Sequence, residues 1–173
     1  MNLTIPELSL VVLMGPSGSG KSTFARTHFK STEILSSDVC RGLVSDDEND
    51  QEATGEAFQV LHFIAARRLA RGLLTVVDAT NVQAELRKPL VELARQYHVP
   101  PVALVLDLPE RLCLERNSLR PNRQVDTDVV RQQVSQLRRS IGTLGREGFR
   151  HVHVLSSPEE VAEACIERRP ALL

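Results

Sequence analysis

The sequence predicts an α/β domain, a parallel sheet of about five strands flanked by helices, and three observations carry that prediction. Continuous apolar runs alternate along the chain with segments of helical period. The first run breaks into glycines followed by a lysine and two hydroxyls, Gly15-Pro16-Ser17-Gly18-Ser19-Gly20-Lys21-Ser22-Thr23. Polar residues, Asp38 and Asp78, fall just past the ends of later runs, where open parallel sheets place their ligands.

In chain order, Leu8 to Met14 is an unbroken apolar run ending in glycine, the pattern of a central strand covered on both faces. Lys21 to Phe29 is expected as the first helix, and Ile34 to Ser37 as a short second strand with Asp38 at its carboxyl end. Ala53 to Arg71 repeats apolar residues at helical spacing and stops at Gly72. Leu74 to Asp78 reads as the third strand, with the polar end Asp78-Ala79-Thr80-Asn81. Ala84 to Tyr97 is helical by pattern, with Pro89 expected to kink the helix or delay its start. Val102 to Leu108 is the fourth strand, followed by a short helix from Glu110 to Asn117, a loop from Ser118 to Gln124 and a longer helix from about Asp126 to Gly145. His151 to Leu155 alternates as a fifth strand, and Pro158 to Arg168 is expected as the final helix.

Gly15 to Ser22 fits G-x-x-x-x-G-K-[ST], the phosphate-binding loop. Glycines at these positions let backbone N–H groups wrap a phosphate chain closely. Lys21 supplies charge for the β- and γ-phosphates and Ser22 a hydroxyl for Mg²⁺, while the helix that begins there aims its positive end at the same phosphates. Ser17, Gly18, Ser19, Gly20 and Thr23 complete the cradle. Loop and alternation together predict a P-loop NTPase/phosphotransferase fold over residues 1–173 as one domain, with ATP or another NTP and Mg²⁺ as cofactors.

Composition narrows the partners. The 173 residues have a formal net charge of −1, so no global basic field marks the chain as a nucleic-acid binder. Locally, Arg111 to Arg150 holds nine arginines against four carboxylates, which suits an anion-binding wall as well as a solvated helix face. Cys40, Cys113 and Cys165 are few, odd in number and widely spaced, arguing against a disulfide framework and for a reducing cytoplasm. No apolar run reaches membrane-spanning length, so no membrane partner is expected. The aromatic content is one Tyr, five Phe and no Trp; any nucleic-acid contact should be made mostly to phosphates, with apolar side chains such as Val129 against a terminal base.

The remaining chemistry has candidates at strand ends. Asp38 sits where an acceptor hydroxyl would meet a γ-phosphate, the position of a general base, with a helix cap as its other reading. Arg41, three residues on, is placed to pair with Asp38 or to grip an acceptor phosphate. Asp78 fits the acidic position that holds Mg²⁺, often through water. Arg116, Arg120 and Arg123 span a helix end and a proline-containing loop, as an arginine-bearing lid over a triphosphate would. His151 and His153 share one side of a strand, but nothing nearby completes a metal ligand set.

In combination, the phosphate loop, Ser36-Ser37-Asp38-Val39-Cys40-Arg41-Gly42-Leu43-Val44-Ser45-Asp46-Asp47, Thr75-Val76-Val77-Asp78-Ala79-Thr80-Asn81 and the arginine-rich lid resemble the kinase domain of bacterial polynucleotide kinase-phosphatase. The likeness covers nearly the whole chain and extends more distantly to the kinase domain of the phage polynucleotide kinase. It implies NTP-dependent phosphorylation of 5′-hydroxyl ends of single-stranded DNA or RNA in end healing and repair. It further implies Asp38 as base, Arg41 on the acceptor end, Lys21 and Ser22 on phosphates and metal, and Arg116 and Arg120 clamping the donor. Gln51 and Arg123 add contacts. In that family the kinase is the amino-terminal part of a longer polypeptide with phosphatase and ligase-like modules; no signature of either occurs here, so the chain is an excised domain or a stand-alone kinase. The rival readings are a small-molecule kinase of similar fold and a nucleotide-binding switch without an acceptor.

Overall fold

Each apolar run folds as a parallel strand in the computed structural model, which describes residues 1–170. The first half of the chain forms β1 (Asn2–Pro6), β2 (Leu10–Met14), α1 (Lys21–His28), β3 (Ile34–Ser36), α2 (Ser37–Ser45), α3 (Thr54–Ala70) and β4 (Thr75–Asp78). The second half forms α4 (Ala84–Gln96), β5 (Pro101–Leu106), α5 (Glu110–Ser118), α6 (Thr127–Ile141), α7 (Leu144–Glu147), β6 (His151–Leu155), α8 (Pro158–Glu163) and β7 (Cys165–Arg169).

The main sheet has the order β3-β4-β2-β5-β6, every pair parallel, so the five-strand α/β expectation holds. β2 lies at its centre and every residue from Leu10 to Met14 is fully buried. Successive side chains on a strand point to opposite faces. Val11 and Leu13 accordingly pack with Phe24, Ala25 and Leu104 on one side, while Leu10, Val12 and Met14 pack with Leu61, Leu90 and Leu137 on the other. Burying each such side chain contributes roughly 1.5–3 kcal/mol, which is why no polar residue interrupts the run. The chain winds from β2 toward β3 and then crosses back over β2 to β5, which opens a crevice at the carboxyl ends beside β2.

Several boundaries differ from the sequence expectation. The final helix stops at Glu163 rather than Arg168, because Ala164 turns extended and residues 165–169 pair with β1 in a separate two-stranded parallel sheet. That sheet is pinned to the body by Arg168, which donates to both carboxylate oxygens of Glu33 at 2.8 Å. The expected helix to Gly145 ends at Ile141 and restarts at Leu144, and the second strand ends at Ser36, one residue early, where α2 begins. Pro89 does not delay the start of α4, which begins five residues before it; Pro89 and Glu85, whose carbonyl it leaves without an intrahelical donor, are both exposed residues. His153 bonds the Thr4 carbonyl through Nε2 at 3.0 Å, and among the described residues no group of three or more His, Cys, Asp or Glu could hold a metal. No helix among the described residues is long and apolar enough to cross a membrane.

Candidate active site

The phosphate loop follows β2 directly. Gly18 and Gly20 have φ of 84° and 91°, the left-handed region that favours glycine, and a Cβ on Gly18 would lie 2.2 Å from the Cys113 carbonyl oxygen. The loop therefore presses against the backbone of α5 at a point where no side chain fits. Ser19 N–H bonds back to Pro16, and Ser17 N–H donates to Gln133. The N–H groups of Gly18, Gly20, Lys21, Ser22 and Thr23 have no hydrogen-bond partner among the described residues. Unpaired donors at the start of a helix form a concave site for anions.

Lys21 is buried under this loop, with Nζ donating to the Pro16 carbonyl at 3.0 Å and lying 3.5 Å from Ser19 Oγ. Burial pulls its pKa down from 10.5 to about 8, against the opposing pull of Asp78; Arg120 adds to the lowering. A phosphate chain favours the charged lysine, so ATP affinity should fall as pH rises through about 8, by up to about tenfold per unit. Calorimetric titration from about pH 7 to about pH 9.5 reads this slope; a flat profile would detach Lys21 from the phosphates. The ligand-free fold responds with the opposite sign. Because the folded pKa is the lower one, unfolding takes up a proton between about 8 and 10.5, and stability rises with pH across that window.

Ser22 Oγ donates to Asp78 Oδ2 at 2.7 Å. The pair brings the end of β4 to the start of α1. One hydroxyl and one carboxylate beside unpaired amides suit Mg²⁺, which retains several waters and takes phosphate oxygens rather than an all-protein cage; the residues present therefore fit that ion. The strand end is held by further bonds: Gly15 N–H donates to the Thr80 carbonyl at 3.0 Å, Asn81 Nδ2 to the Leu13 carbonyl at 2.8 Å, and the buried Arg87 to the Asn81 carbonyl at 3.0 Å.

Asp38 lies in the first turn of α2, and the cap of that helix is Ser36, whose Oγ accepts from Val39 N–H. The capping role expected as the alternative for Asp38 thus belongs to Ser36. Asp38 Oδ1 accepts from Arg41 at 2.5 Å and also from Arg123. Its second oxygen, Oδ2, has no hydrogen-bond partner among the described residues, and the side chain is 33% exposed. Arg41 is buried, with Nε donating to Thr54 Oγ1 at 3.1 Å, so the Asp38–Arg41 pair is no surface salt bridge.

A cavity of about 1660 Å³ joins these parts. It is lined by residues 17–23 of the phosphate loop, by Asp38 and Arg41, by Asp78, by Arg116, Arg120 and Arg123, and by Gln51 and Val129. Gly15 lies behind it; a Cβ there would meet Ser19 Oγ at 2.6 Å. Arg116 stands over Gly20 and Arg120 acts on Lys21, whereas Arg123, expected beside them over the triphosphate, reaches Asp38 instead. Asn49 Nδ2 donates to the Asn122 carbonyl at 3.1 Å, fastening the loop from Ser118 to Gln124 to the segment between α2 and α3. Cys40 is on the buried face of α2, in the core. Sequence reasoning missed Thr54, Gln133 and Arg87; a buried arginine in an amphipathic helix was the available signal for the last.

A family model described as an AAA domain matches residues 10–144. Among curated proteins, the transcription factor bHLH140 of Arabidopsis thaliana is 32% identical over 109 residues, 62% of this chain and 11% of that protein. The glutamine transport ATP-binding protein GlnQ of Escherichia coli (strain K12) is 35% identical over 130 residues, 67% of this chain and 54% of that protein. The chain thus spans about half or less of the length of these relatives. Among solved structures, a chain of the Pnkp1/Rnl/Hen1 RNA repair complex superposes with a TM-score of 0.70 at 20% identity, covering 81% of this chain and 47% of that one. A gluconokinase from Sinorhizobium meliloti 1021 gives 0.55 at 20% identity over 92% and 88%, and the APS kinase CysC of Mycobacterium tuberculosis, in complex with AMPPNP and APS, 0.52 at 24% over 66% and 71%. The superposed structures show that the chain has the α/β fold of its P-loop kinase neighbours.

Proposed function

Because the chain belongs to the AAA domain family, we propose that it is a phosphotransferase moving the γ-phosphate of ATP or another NTP to the 5′-hydroxyl end of single-stranded DNA or RNA. The observation that carries this reading is Asp38, gripped through one oxygen by two arginines and open at the other, in the same cavity as the phosphate loop. A switch that only holds nucleotide has no use for a carboxylate so arranged. Two arginines beside it suit an acceptor that is itself a polyanion. The 0.70 superposition on a chain from an RNA repair complex supports the same acceptor class.

In this mechanism the acceptor hydroxyl gives its proton to Asp38 Oδ2 while its oxygen attacks the γ-phosphorus in line, and the bond to the β-phosphate oxygen breaks to leave the nucleoside diphosphate. Lys21, Arg116 and Arg120 stabilise charge on the transferring group and the leaving oxygen. Ser22 and Asp78 would hold Mg²⁺, which when bound neutralises charge shared by the β- and γ-phosphates. Arg41 and Arg123 orient Asp38 and engage the acceptor phosphates, and Gln51 and Val129 flank the terminal nucleoside. Phosphatase and ligase-like modules in a longer chain would be its functional partners.

The test is incubation with γ-labelled ATP and either a 5′-hydroxyl oligonucleotide or a panel of sugars, nucleosides and antibiotics. Label is expected on the oligonucleotide. Label confined to a small molecule would overturn the acceptor, a reading that the gluconokinase likeness keeps in view.

A further inference from the structure

The phosphate loop touches the α5–α6 pair at two points of different kinds. At Gly18 the contact with the Cys113 carbonyl is a close approach of backbone to backbone. At Ser17 it is a single directed bond: the N–H donates to Gln133 Oε1 at 2.9 Å, across 116 positions of sequence. Close packing resists compression but leaves rotation of the Ser17 peptide free. The bond from Gln133 restricts it.

Gln133 lies in α6, one turn beyond Val129, and both line the cavity. α6 is in turn seated on α5 through Leu112, Cys113, Leu114 and Val130. We propose that Gln133 is a positioning residue. Its carboxamide holds the Ser17 peptide so that the unpaired N–H groups from Gly18 onward face the cavity, and it ties the phosphate loop to the helix that presents Val129. Ser17 N–H is therefore a fixing point of the cradle and not one of its donors to phosphate. The part of this inference that concerns Val129 as an acceptor wall rests on the function proposed above; the part that concerns the donor does not.

The test uses Gln133→Met, which keeps length and removes the acceptor oxygen, and Gln133→Glu, which keeps an oxygen at the same reach. In Gln133→Met, amide exchange at Ser17, followed by NMR, is expected to accelerate about tenfold or more. ATP affinity, measured by calorimetry with no acceptor present, should fall about fivefold to tenfold, the effect of one hydrogen bond. The melting temperature should stay within about 2 °C, since Gln133 is only half-buried. Gln133→Glu should keep Ser17 protected while ATP affinity stays low, because its charge faces the triphosphate.

Unchanged ATP affinity in Gln133→Met overturns the proposal, and so does an unprotected Ser17 in Gln133→Glu. Higher affinity in Gln133→Met overturns it as well, because the carboxamide would then be a competitor for a phosphate position. A loss of affinity matched by a large fall in melting temperature would make the role merely structural. A protein that binds ATP but labels no 5′-hydroxyl end defeats the proposed acceptor and leaves this test intact.

Discussion

Asp38→Asn is expected to lower phosphate transfer to a 5′-hydroxyl oligonucleotide by about 10²- to 10⁴-fold, the range for removing a general base, while ATP affinity is largely kept. The asparagine retains the shape and an oxygen for Arg41 and Arg123, so the two guanidinium groups that hold Asp38 Oδ1 lose charge complementarity without losing their place. What disappears is the open oxygen able to take a proton. Steady-state transfer and calorimetric ATP binding on the same preparation separate the two effects. Transfer at the wild-type rate would remove Asp38 from the chemistry, and equal loss of ATP binding would assign it to the donor side. Lys21→Ala provides the contrast, since it should impair donor binding and transfer together.

The second large effect is on the fold. Arg87 is 1% exposed and donates through Nε and Nη2 to the two carboxylate oxygens of Glu147, at 2.8 and 2.9 Å, with Nη1 on the Asn81 carbonyl. Glu147 also accepts from Thr143 Oγ1 at 3.0 Å. Arg87→Ala takes the buried guanidinium away from a carboxylate that is itself 21% exposed and leaves the Asn81 carbonyl without this donor, which costs about 2–3 kcal/mol. For a domain of this size the expected fall in melting temperature is about 4–12 °C. Arg87→Lys should recover only part of it, because an ammonium cannot reproduce the paired donors of the guanidinium. Thermal unfolding followed by circular dichroism checks both; a shift below about 2 °C would mean that Glu147 finds water at no cost. ATP affinity should weaken too, because Asn81, which loses the Arg87 donor and keeps its side-chain bond to Leu13, lies between Arg87 and the Asp78 that meets Ser22.

The elements of the site were legible to very different degrees. The phosphate loop could be read because its requirement is local: consecutive residues must supply left-handed backbone, a lysine and a hydroxyl, and Gly18, Gly20, Lys21 and Ser22 do so in one turn of chain. Asp38 and Asp78 could be located because a parallel sheet delivers its strand ends to one crevice, whichever strands are neighbours. Arg123 was readable as a lid residue but not as a partner of Asp38, since 85 positions separate them and the loop conformation decides the reach. Gln133 and Thr54 carry no signal of their own; each is an ordinary polar residue of an amphipathic helix until its neighbours are known.

The same division runs through the fold. Composition and period determined by themselves that the chain forms a parallel α/β sheet with a phosphate loop after β2, because buried strands and amphipathic helices impose their patterns on adjacent residues. Only the tertiary structure decided that Cys165–Arg169 leaves the helical path to pair with Asn2–Pro6, since Cys-Ile-Glu-Arg-Arg has one strong apolar residue and no period of either kind. It alone decided the bonds of Arg87 to Glu147, Arg123 to Asp38 and Ser17 to Gln133. Each joins groups far apart in the chain, and a hydrogen bond forms only where packing has already brought donor and acceptor within about 3 Å.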